Sequence, residues 1–383
     1  MAWRVVHLKF EGALIMNSSR QGAGLLKIGI VGLGQTGKTT LFSILTRAQR
    51  GRLAAKADAQ IGVVHVPDAR LDRLAEMYHP KKTVYASIEY VDTPGSVIEL
   101  ARSGTEAAAL REMDALAHVV RAFENPVVPH ESGEVDPQRD IENVELELML
   151  SDLAVVEKRL ERLDKDLKKQ KTPTLEKEQS ALAKARQALE RQQPLREVGF
   201  SAEEERLLKG FTFFSLKPMV YVLNLGEKDA ERTRATEDLA AQAGLKQRSR
   251  TAVTAISGQV EAELAELEGA EARELMASYG LQESAVTRLI RSSYRLLGLI
   301  SFFTVGEDEC RAWTLSEGAT ALEAAGEIHS DIQKGFIRAE VVRYEDLIAA
   351  GSLAEARNHG TLRLEGNEYR VRDGEIVHFR HSG

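Results

Sequence analysis

The stretch that decides the fold is GLGQTGKT at residues 32–39, which fits the pattern G-x-x-x-x-G-K-[ST]. A short apolar run from Leu26 to Val31 comes before it, and a predicted helix from Lys38 to Gln49 follows it. In this order of strand, glycine-rich loop and helix, successive backbone N–H groups and the helix N-terminus can wrap a chain of phosphates. Residues 32–39 are therefore predicted to bind phosphate groups.

Strand and helix patterns alternate on both sides of a long helical segment. Val84 to Asp92 and Ala117 to Phe123 have strand patterns before it, and Pro218 to Leu223 and Ala252 to Ile256 have them after it. Alternation of this kind predicts a mostly parallel sheet covered by helices, which is an α/β doubly wound domain. Because the sheet needs strands from both sides, the helical segment is predicted to be an insertion.

The inserted segment, residues 140–196, has the pattern of two packed helices. Apolar residues from Leu153 to Leu167 recur at spacings of three and four, and leucines at 175, 182 and 189 recur every seven residues. Pro173 suits the first turn of a second helix. We expect an antiparallel coiled-coil hairpin with lysines at its tip.

The remaining chain divides into further parts. Residues 1–26 are expected to be a flexible N-terminal extension, with Met16 as an alternative translation start. Residues 27–139 and 197–298 would form the phosphate-binding domain. Short strands, among them Glu368 to Val371, tight glycine turns and one helix, from Ala319 to Lys334, predict a separate small α+β domain over residues 299–383.

Composition and charge limit the function classes. The formal net charge is −7, so contact with nucleic acid would need a local basic face, and we expect no sequence-specific recognition of DNA. The single cysteine, Cys310, excludes a disulfide within one chain and fits a reducing compartment. No stretch approaches the roughly 20 apolar residues of a membrane helix. We expect a cytoplasmic protein without membrane contact, and a monomer.

A second motif supports a nucleotide site. Residues 92–95 read D-T-P-G at the end of a predicted strand. Thr39 and Asp92 would hold Mg²⁺, the latter through a water, and Lys38 would lie between the β- and γ-phosphates. The Gly95 N–H would meet the γ-phosphate, and Ser96 could touch the attacking water. No strong general base is visible, but phosphoryl transfer does not require one.

The loop expected to read the base departs from guanine-specific proteins. Such proteins end the corresponding strand in N-K-x-D, whereas this chain has Asn224-Leu225-Gly226-Glu227. The longer Glu227 displaces the carboxylate, and Leu225 replaces the lysine that would lie along the base. Guanine recognition is therefore compromised, yet a carboxylate does not clearly favour adenine either. From these residues alone, either ATP or GTP can be the nucleotide that the chain binds.

Together these residues resemble the YchF or Obg-like ATPases, within the translation-factor class of P-loop proteins. The resemblance covers nearly all of Lys27 to Phe379, and its most specific parts are residues 118–124, 224–227 and 335–340. It implies a preference for ATP with Mg²⁺, a C-terminal TGS domain of β-grasp type, and association with ribosomes or RNA through that domain and the hairpin. It also implies that Asn224 and the neighbouring backbone read the base, with Ser257 and Gly258 behind it.

The chain differs from the family pattern in its switch segments. Lys56 stands where a threonine would complete the Mg²⁺ shell, and its ammonium group could approach the γ-phosphate instead. Gly34-Gln35 replaces Pro-Asn, Ser96 replaces a leucine, and the glycine-rich stretch after it is shortened. We expect binding to survive and hydrolysis to be slow. The alternatives are a nucleotide-sensing binding protein with negligible turnover, and a GTP-specific GTPase.

The candidate site residues fall into three sets. The predicted catalytic residues are Lys38, Gly95 and Ser96, and the predicted metal ligands are Thr39 and Asp92. The predicted nucleotide-binding residues are Gly32, Gly34, Gln35, Thr36, Gly37, Lys38, Thr39, Thr40, Asn224, Leu225, Glu227, Ser257 and Gly258.

Overall fold

A computed structural model of the chain describes residues 25–47, 53–56, 59–93, 95–102, 104–245 and 248–382. The predicted extension, apart from Leu25 and Leu26, lies outside the described residues. The structure divides into two compact units, one formed by Leu25–Pro67 and Ser87–Leu297 and the other by Asp68–Ala86 and Gly298–Gly383. No helix among the described residues is both long enough and apolar enough to cross a bilayer.

The strands are β1 (Lys27–Val31), β2 (Leu53–Lys56), β3 (Ala59–His65), β4 (Lys82–Val84), β5 (Ser87–Asp92), β6 (Ala115–Ala122), β7 (Met219–Leu225), β8 (Thr251–Ile256), β9 (Leu299–Thr304), β10 (Glu309–Ser316), β11 (Phe336–Val342), β12 (Arg363–Glu365) and β13 (Ile376–His381). Short 3-10 helices cover Leu195–Glu197, Lys209–Phe211 and Glu227–Arg234.

The α-helices are α1 (Lys38–Arg47), α2 (Ala69–Tyr78), α3 (Val97–Arg102), α4 (Gly104–Arg111), α5 (Pro137–Lys169), α6 (Pro173–Glu190), α7 (Ala202–Leu208), α8 (Thr236–Gln242), α9 (Gly258–Leu264), α10 (Gly269–Ser278), α11 (Ala285–Leu296), α12 (Ala321–Ile328), α13 (Ser330–Lys334), α14 (Tyr344–Ala350) and α15 (Leu353–Asn358).

The larger unit is built on a sheet with the strand order β2-β3-β5-β1-β6-β7-β8. Strands β5, β1, β6, β7 and β8 run parallel to one another, whereas β3 is antiparallel to both β2 and β5. Every residue of β7 is buried, as expected for a parallel strand covered on both faces. The predicted α/β doubly wound domain is confirmed. Its antiparallel edge was not predicted.

The carboxyl ends of β1, β5, β6 and β7 meet at one edge of the sheet, where ligands bind in such folds.

The inserted helices α5 and α6 form a hairpin whose ends are set by local sequence. The side chains of Asp136 and Thr172 cap the two N-termini, and each cap is followed by a proline at the first turn. The first half of α5 packs on the sheet through Ile141, Val144 and Leu148. Its second half packs against α6, where Leu163 and Leu182 are buried. The predicted helical insertion is confirmed, and α5 begins three residues before the predicted boundary.

The C-terminal unit contains a sheet with the strand order β12-β11-β13-β9-β10-β4. Its last strand, β13, is parallel to its first long strand, β9, with hairpin partners outside them, which is the β-grasp arrangement. Two local predictions here are wrong. Residues 319–334 form two helices, because His329 is extended and its side chain caps α13. Residues 368–371 do not form a strand; within them Arg370 makes a single bridge to Thr320.

Residues 68–86, predicted as part of the phosphate-binding domain, belong to the C-terminal unit. Strand β4 extends its sheet beside β10. Arg70 donates hydrogen bonds to Asp68 and to Asp373, and its guanidinium carbon lies 5.3 Å from the centre of the Phe303 ring. The strand pattern at Val84 to Asp92 therefore covers the last residue of β4, in the C-terminal unit, and the whole of β5, in the larger unit.

Candidate nucleotide-binding site

The phosphate loop connects β1 to α1 and depends on two close backbone approaches. A Cβ atom at Gly32 would lie 2.5 Å from the carbonyl oxygen of Val119, and one at Gly37 would lie 2.5 Å from Asn224 Nδ2. Gly37 also has a φ of 99°, which a side chain would strain. Glycine is therefore required at both positions by the packing of β6 and β7 behind the loop.

Lys38 is buried and curls back over the loop. Its Nζ donates to the carbonyl oxygens of Leu33 at 2.7 Å and Gly32 at 3.2 Å. Burial lowers the pKa of this lysine, and the negative charges of Asp92 and Glu131 oppose that shift. The ammonium group thus lies inside the loop with two nearby carboxylates.

Asp92 ends β5 beside the start of α1. Burial raises the pKa of its carboxyl group, and the hydrogen bond from Thr39 and the charge of Lys38 lower it in part. Its Oδ1 atom is buried and has no hydrogen-bond partner among the described residues. A carboxylate and a hydroxyl group are hard oxygen ligands of the kind Mg²⁺ prefers. The Thr39 hydroxyl and the Asp92 carboxylate would therefore suit Mg²⁺ as ligands.

The segment after Asp92 is anchored against the loop. Thr93 Oγ1 donates to the carbonyl oxygen of Ile30 at 2.6 Å, and the Val97 N–H donates to that of Gly32 at 3.1 Å. Between these anchors Gly95 has a φ of 88°, which glycine adopts without strain. Pro94 lies outside the described residues, as does the side chain of Lys56, so the hypothesis that Lys56 approaches the γ-phosphate stays a prediction.

An open cleft of about 480 Å³ lies over the phosphate loop. Its lining comes from the loop and the start of α1, from the segment after β5, and from the connection between β6 and α5. The lining residues are Gly34, Gln35, Thr36, Gly37, Lys38, Thr39, Thr40, Gly95, Ser96, Glu99 and Glu131. The structure therefore brings together most of the predicted phosphate, metal and catalytic residues.

The predicted base-reading residues lie at the ends of β7 and β8. Asn224 is buried, donates from Nδ2 to the carbonyl oxygen of Thr36 at 3.0 Å, and accepts at Oδ1 from the Gly258 N–H at 3.0 Å. It thus ties the phosphate loop to the N-terminus of α9. The Leu225 side chain belongs to the buried core, so only its backbone can meet a ligand. The buried Ser257 Oγ has no hydrogen-bond partner among the described residues.

Comparison with known proteins identifies relatives that cover most of the chain. A "Ribosome-binding ATPase YchF" of Bacillus subtilis (strain 168) is 42% identical over 365 residues, which cover 93% of this chain and 99% of that protein. One of the same name from Escherichia coli O157:H7 is 39% identical and covers 92% of this chain. The chain belongs to the YchF family.

Domain models and a solved structure agree with this membership. A model described as "50S ribosome-binding GTPase" matches residues 27–173, and the YchF-GTPase_C model, described as "Protein of unknown function (DUF933)", matches residues 299–382. The solved "Structure of the Schizosaccharomyces pombe YchF GTPase" is 29% identical, has a TM-score of 0.80, and covers 94% of this chain and 98% of that one. The resemblance stated from the sequence is confirmed.

Two acidic residues at the nucleotide site of this YchF chain are not predicted by any sequence motif. Glu99 and Glu131 both line the cleft. A Cβ atom at Gly34 would lie 1.9 Å from Glu131 Oε1, so this carboxylate rests directly on the phosphate loop. No local pattern marks Glu131, because it reaches the loop through the fold of residues 125–136. Its charge opposes the approach of phosphate groups.

The loop Asn224–Glu227, called the base loop below, makes side-chain contacts that its sequence motif does not predict. Glu227 Oε1 accepts a hydrogen bond from the Tyr279 hydroxyl at 2.9 Å, and Oε2 accepts one from Gln259 Nε2 at 2.8 Å. Phe123 directly follows β6; its ring centre lies 4.7 Å from the guanidinium carbon of Arg121, and the residue is close to Gly226. These side chains come from four different elements around the Asn224–Glu227 loop.

Proposed function

We propose that the chain is a Mg²⁺-dependent nucleotide switch that binds ATP, hydrolyses it slowly and acts at the ribosome. The observation that carries this proposal is the grouping of Lys38, Thr39 and Asp92 around a glycine-rich loop. The loop amides and Lys38 supply positive potential, and the buried, unpartnered Asp92 oxygen supplies a metal-directed acceptor.

The chain's own residues explain both binding and slow turnover. Lys38 would exchange its two carbonyl acceptors for phosphate oxygens. Thr39 and Asp92 would hold Mg²⁺, which neutralises charge on the β- and γ-phosphates. The Gly95 N–H and the Ser96 hydroxyl would face the γ-phosphate and the attacking water. The acidic Glu99 and Glu131 in the same cleft oppose charge build-up, which supports a low rate and also favours the second candidate, a nucleotide sensor without turnover.

ATP is preferred to GTP in this proposal because the base loop lacks the lysine and aspartate of guanine-specific proteins. The bacterial relatives are named ATPases, whereas the Schizosaccharomyces pombe structure is titled a GTPase.

Ribosome binding is supported by the names of the relatives and by two basic surfaces. Lys168, Lys169 and Lys171 line an open cleft at the hairpin tip. In the C-terminal unit, Arg338 and Arg380 are exposed on the paired strands β11 and β13. Binding through such surfaces should weaken strongly as salt is raised.

The test is the affinity of the purified chain for ATP, ADP, GTP and GDP, with and without Mg²⁺, followed by single-turnover hydrolysis with and without ribosomes. We expect Mg²⁺-dependent binding with ATP tighter than GTP, and loss of that dependence in Asp92→Asn. A hydrolysis rate equal to that of Lys38→Ala under both conditions would leave the sensor as the correct candidate. Absence of Mg²⁺-dependent binding of any purine nucleotide would overturn both.

A further inference from the structure

We propose that Tyr279 and Gln259 set the purine preference of the base loop by holding the Glu227 carboxylate in a fixed position where guanine cannot use it. This inference rests on the proposed function, since it concerns the same nucleotide site. Neither residue belongs to the motif that predicted the loop, and both come from later parts of the chain.

Glu227 occupies the position that decides guanine recognition in N-K-x-D proteins, three residues after the asparagine, which here is Asn224. In this chain it begins the 3-10 helix Glu227–Arg234, which a single residue separates from the end of β7. Its two carboxylate oxygens each accept a hydrogen bond from a different side chain, Tyr279 at 2.9 Å and Gln259 at 2.8 Å. Two donors on two oxygens fix the plane of the carboxyl group as well as its position.

Both donors are held by their own surroundings. Gln259 lies in the first turn of α9, whose Gly258 N–H is bonded to Asn224, so it is positioned relative to the base loop. Tyr279 directly follows α10 as its C-cap, and its ring packs on a small core that contains Ala230, Val260 and Leu264. The hydrogen bond to Glu227 raises the pKa of the Tyr279 phenol, so the hydroxyl group remains a donor at neutral and moderately alkaline pH.

The chemistry of the two purines makes this position matter. Guanine presents two adjacent donors, N1–H and the N2 amino group, which an unrestrained carboxylate can pair with. Adenine presents one amino donor beside the N1 acceptor, and a carboxylate oxygen facing that acceptor would repel it. A carboxylate held by Tyr279 and Gln259 leaves the guanine donors without a partner after they lose water, and it spares adenine the repulsion.

The test is the double variant Tyr279→Phe/Gln259→Ala, which removes both donors and keeps the packed ring. Dissociation constants for ADP and GDP with Mg²⁺ are measured by competition with a fluorescent nucleotide. We expect the ratio of GDP to ADP dissociation constants to fall about fivefold or more, since each lost bond is worth a factor of a few. Adding Glu227→Ala to the double variant should return this ratio to that of the parent chain, because the freed carboxylate causes the improved binding of GDP.

The matched control is Tyr85→Phe/Gln179→Ala, which removes the same kinds of bond from Asp72 and Asp164, outside the base loop. Its ratio should equal that of the parent chain. The inference is overturned if the folded double variant has an unchanged ratio of GDP to ADP dissociation constants. It is also overturned if the ratio stays low after Glu227→Ala is added. If the double variant does not fold, the same ratio is measured for Tyr279→Phe alone and the same outcomes apply. A parent chain that prefers guanine nucleotides overturns both the proposed ATP preference and this inference, whereas an unchanged ratio in the folded double variant overturns the inference alone.

Discussion

Glu131 is the residue whose position most changes how the phosphate site is understood. The loop and Lys38 attract phosphate, yet this carboxylate rests on Gly34 and lies near the Lys38 ammonium group. An acidic side chain there competes for the same positive potential that a triphosphate needs. Nucleotide binding must therefore displace it or overcome its charge.

Glu131→Gln should tighten nucleotide binding. Removing one negative charge a few ångströms from the phosphates is expected to lower the dissociation constant for ATP about threefold to tenfold at low salt, with a smaller gain at high salt. Titration of a fluorescent nucleotide at two salt concentrations measures it. Glu134→Gln, an exposed change in the same segment, is the control and should have little effect. Equal affinities in the parent and Glu131→Gln would show that the carboxylate does not oppose the ligand.

His118 makes stability depend on pH. It is fully buried in β6, and burial lowers its pKa from 6.5 to about 4, with Lys38 and Arg196 adding to the shift and Glu145 opposing it. Between these values the unfolded chain binds a proton that the folded chain does not, so the free energy of unfolding falls as the pH is lowered from 6.5 towards 4. The free energy of unfolding has fallen by on the order of 3 kcal/mol when the pH reaches about 4.

Urea unfolding at pH 7.5, 6 and 5 tests this dependence. His118→Asn has no proton to gain in this range and should show a clearly shallower fall than the parent chain. The exposed His359→Asn variant should keep the parental slope. If His118→Asn keeps that slope as well, other groups cause the acid sensitivity.

At the scale of elements, the base of the helical hairpin depends on one buried carboxylate in α5. Asp152 accepts hydrogen bonds from the Phe214 N–H at 2.9 Å, the Ser215 N–H at 2.7 Å, the Ser215 hydroxyl at 2.8 Å and Arg111 at 3.2 Å. Burial raises the pKa of this group, and these bonds oppose the rise. The inserted helices are thereby joined to α4 and to the segment leading into β7.

Asp152→Ala should destabilise the larger unit by about 3 kcal/mol, because several buried donors would lose their acceptor. Chemical denaturation followed by circular dichroism gives the free energy of unfolding. Asp164→Ala, which removes an exposed carboxylate bonded to Gln179 near the hairpin tip, should stay within about 0.5 kcal/mol of the parent. A similar small loss in both variants would mean that α5 is held by its apolar contacts alone.

At the scale of the whole molecule, the chain crosses between its two units more than once. Residues 68–86 leave the first unit after β3, supply α2 and β4 to the second, and return at β5. The sequence does not signal this excursion, because α2 and β4 continue the alternation of strand and helix that the α/β unit itself requires. Only long-range pairing, such as β4 with β10, shows where they belong.

Arg70→Ala should therefore lower amide hydrogen-exchange protection in residues 68–86 and in the C-terminal sheet together. It removes the bonds to Asp68 and Asp373 and the contact with Phe303, while strands β5 to β8 should keep their protection. Arg73→Ala in the same helix loses an exposed pair with Glu76 and should change little. Altered protection confined to residues 68–86 would argue against one cooperative unit.

The sequence by itself determined the phosphate loop, the alternation of strands and helices that makes an α/β sheet, the start of the second hairpin helix and membership of the YchF family. Each of these depends on residues close together in the chain, such as Thr172 and Pro173 at the start of α6, or on a motif that reads continuously. Tertiary structure alone decided that Glu131 faces Gly34, that Tyr279 and Gln259 hold Glu227, and that residues 68–86 complete the C-terminal sheet. Those contacts join residues far apart in sequence, and only the packing of whole elements specifies which of many polar side chains meet.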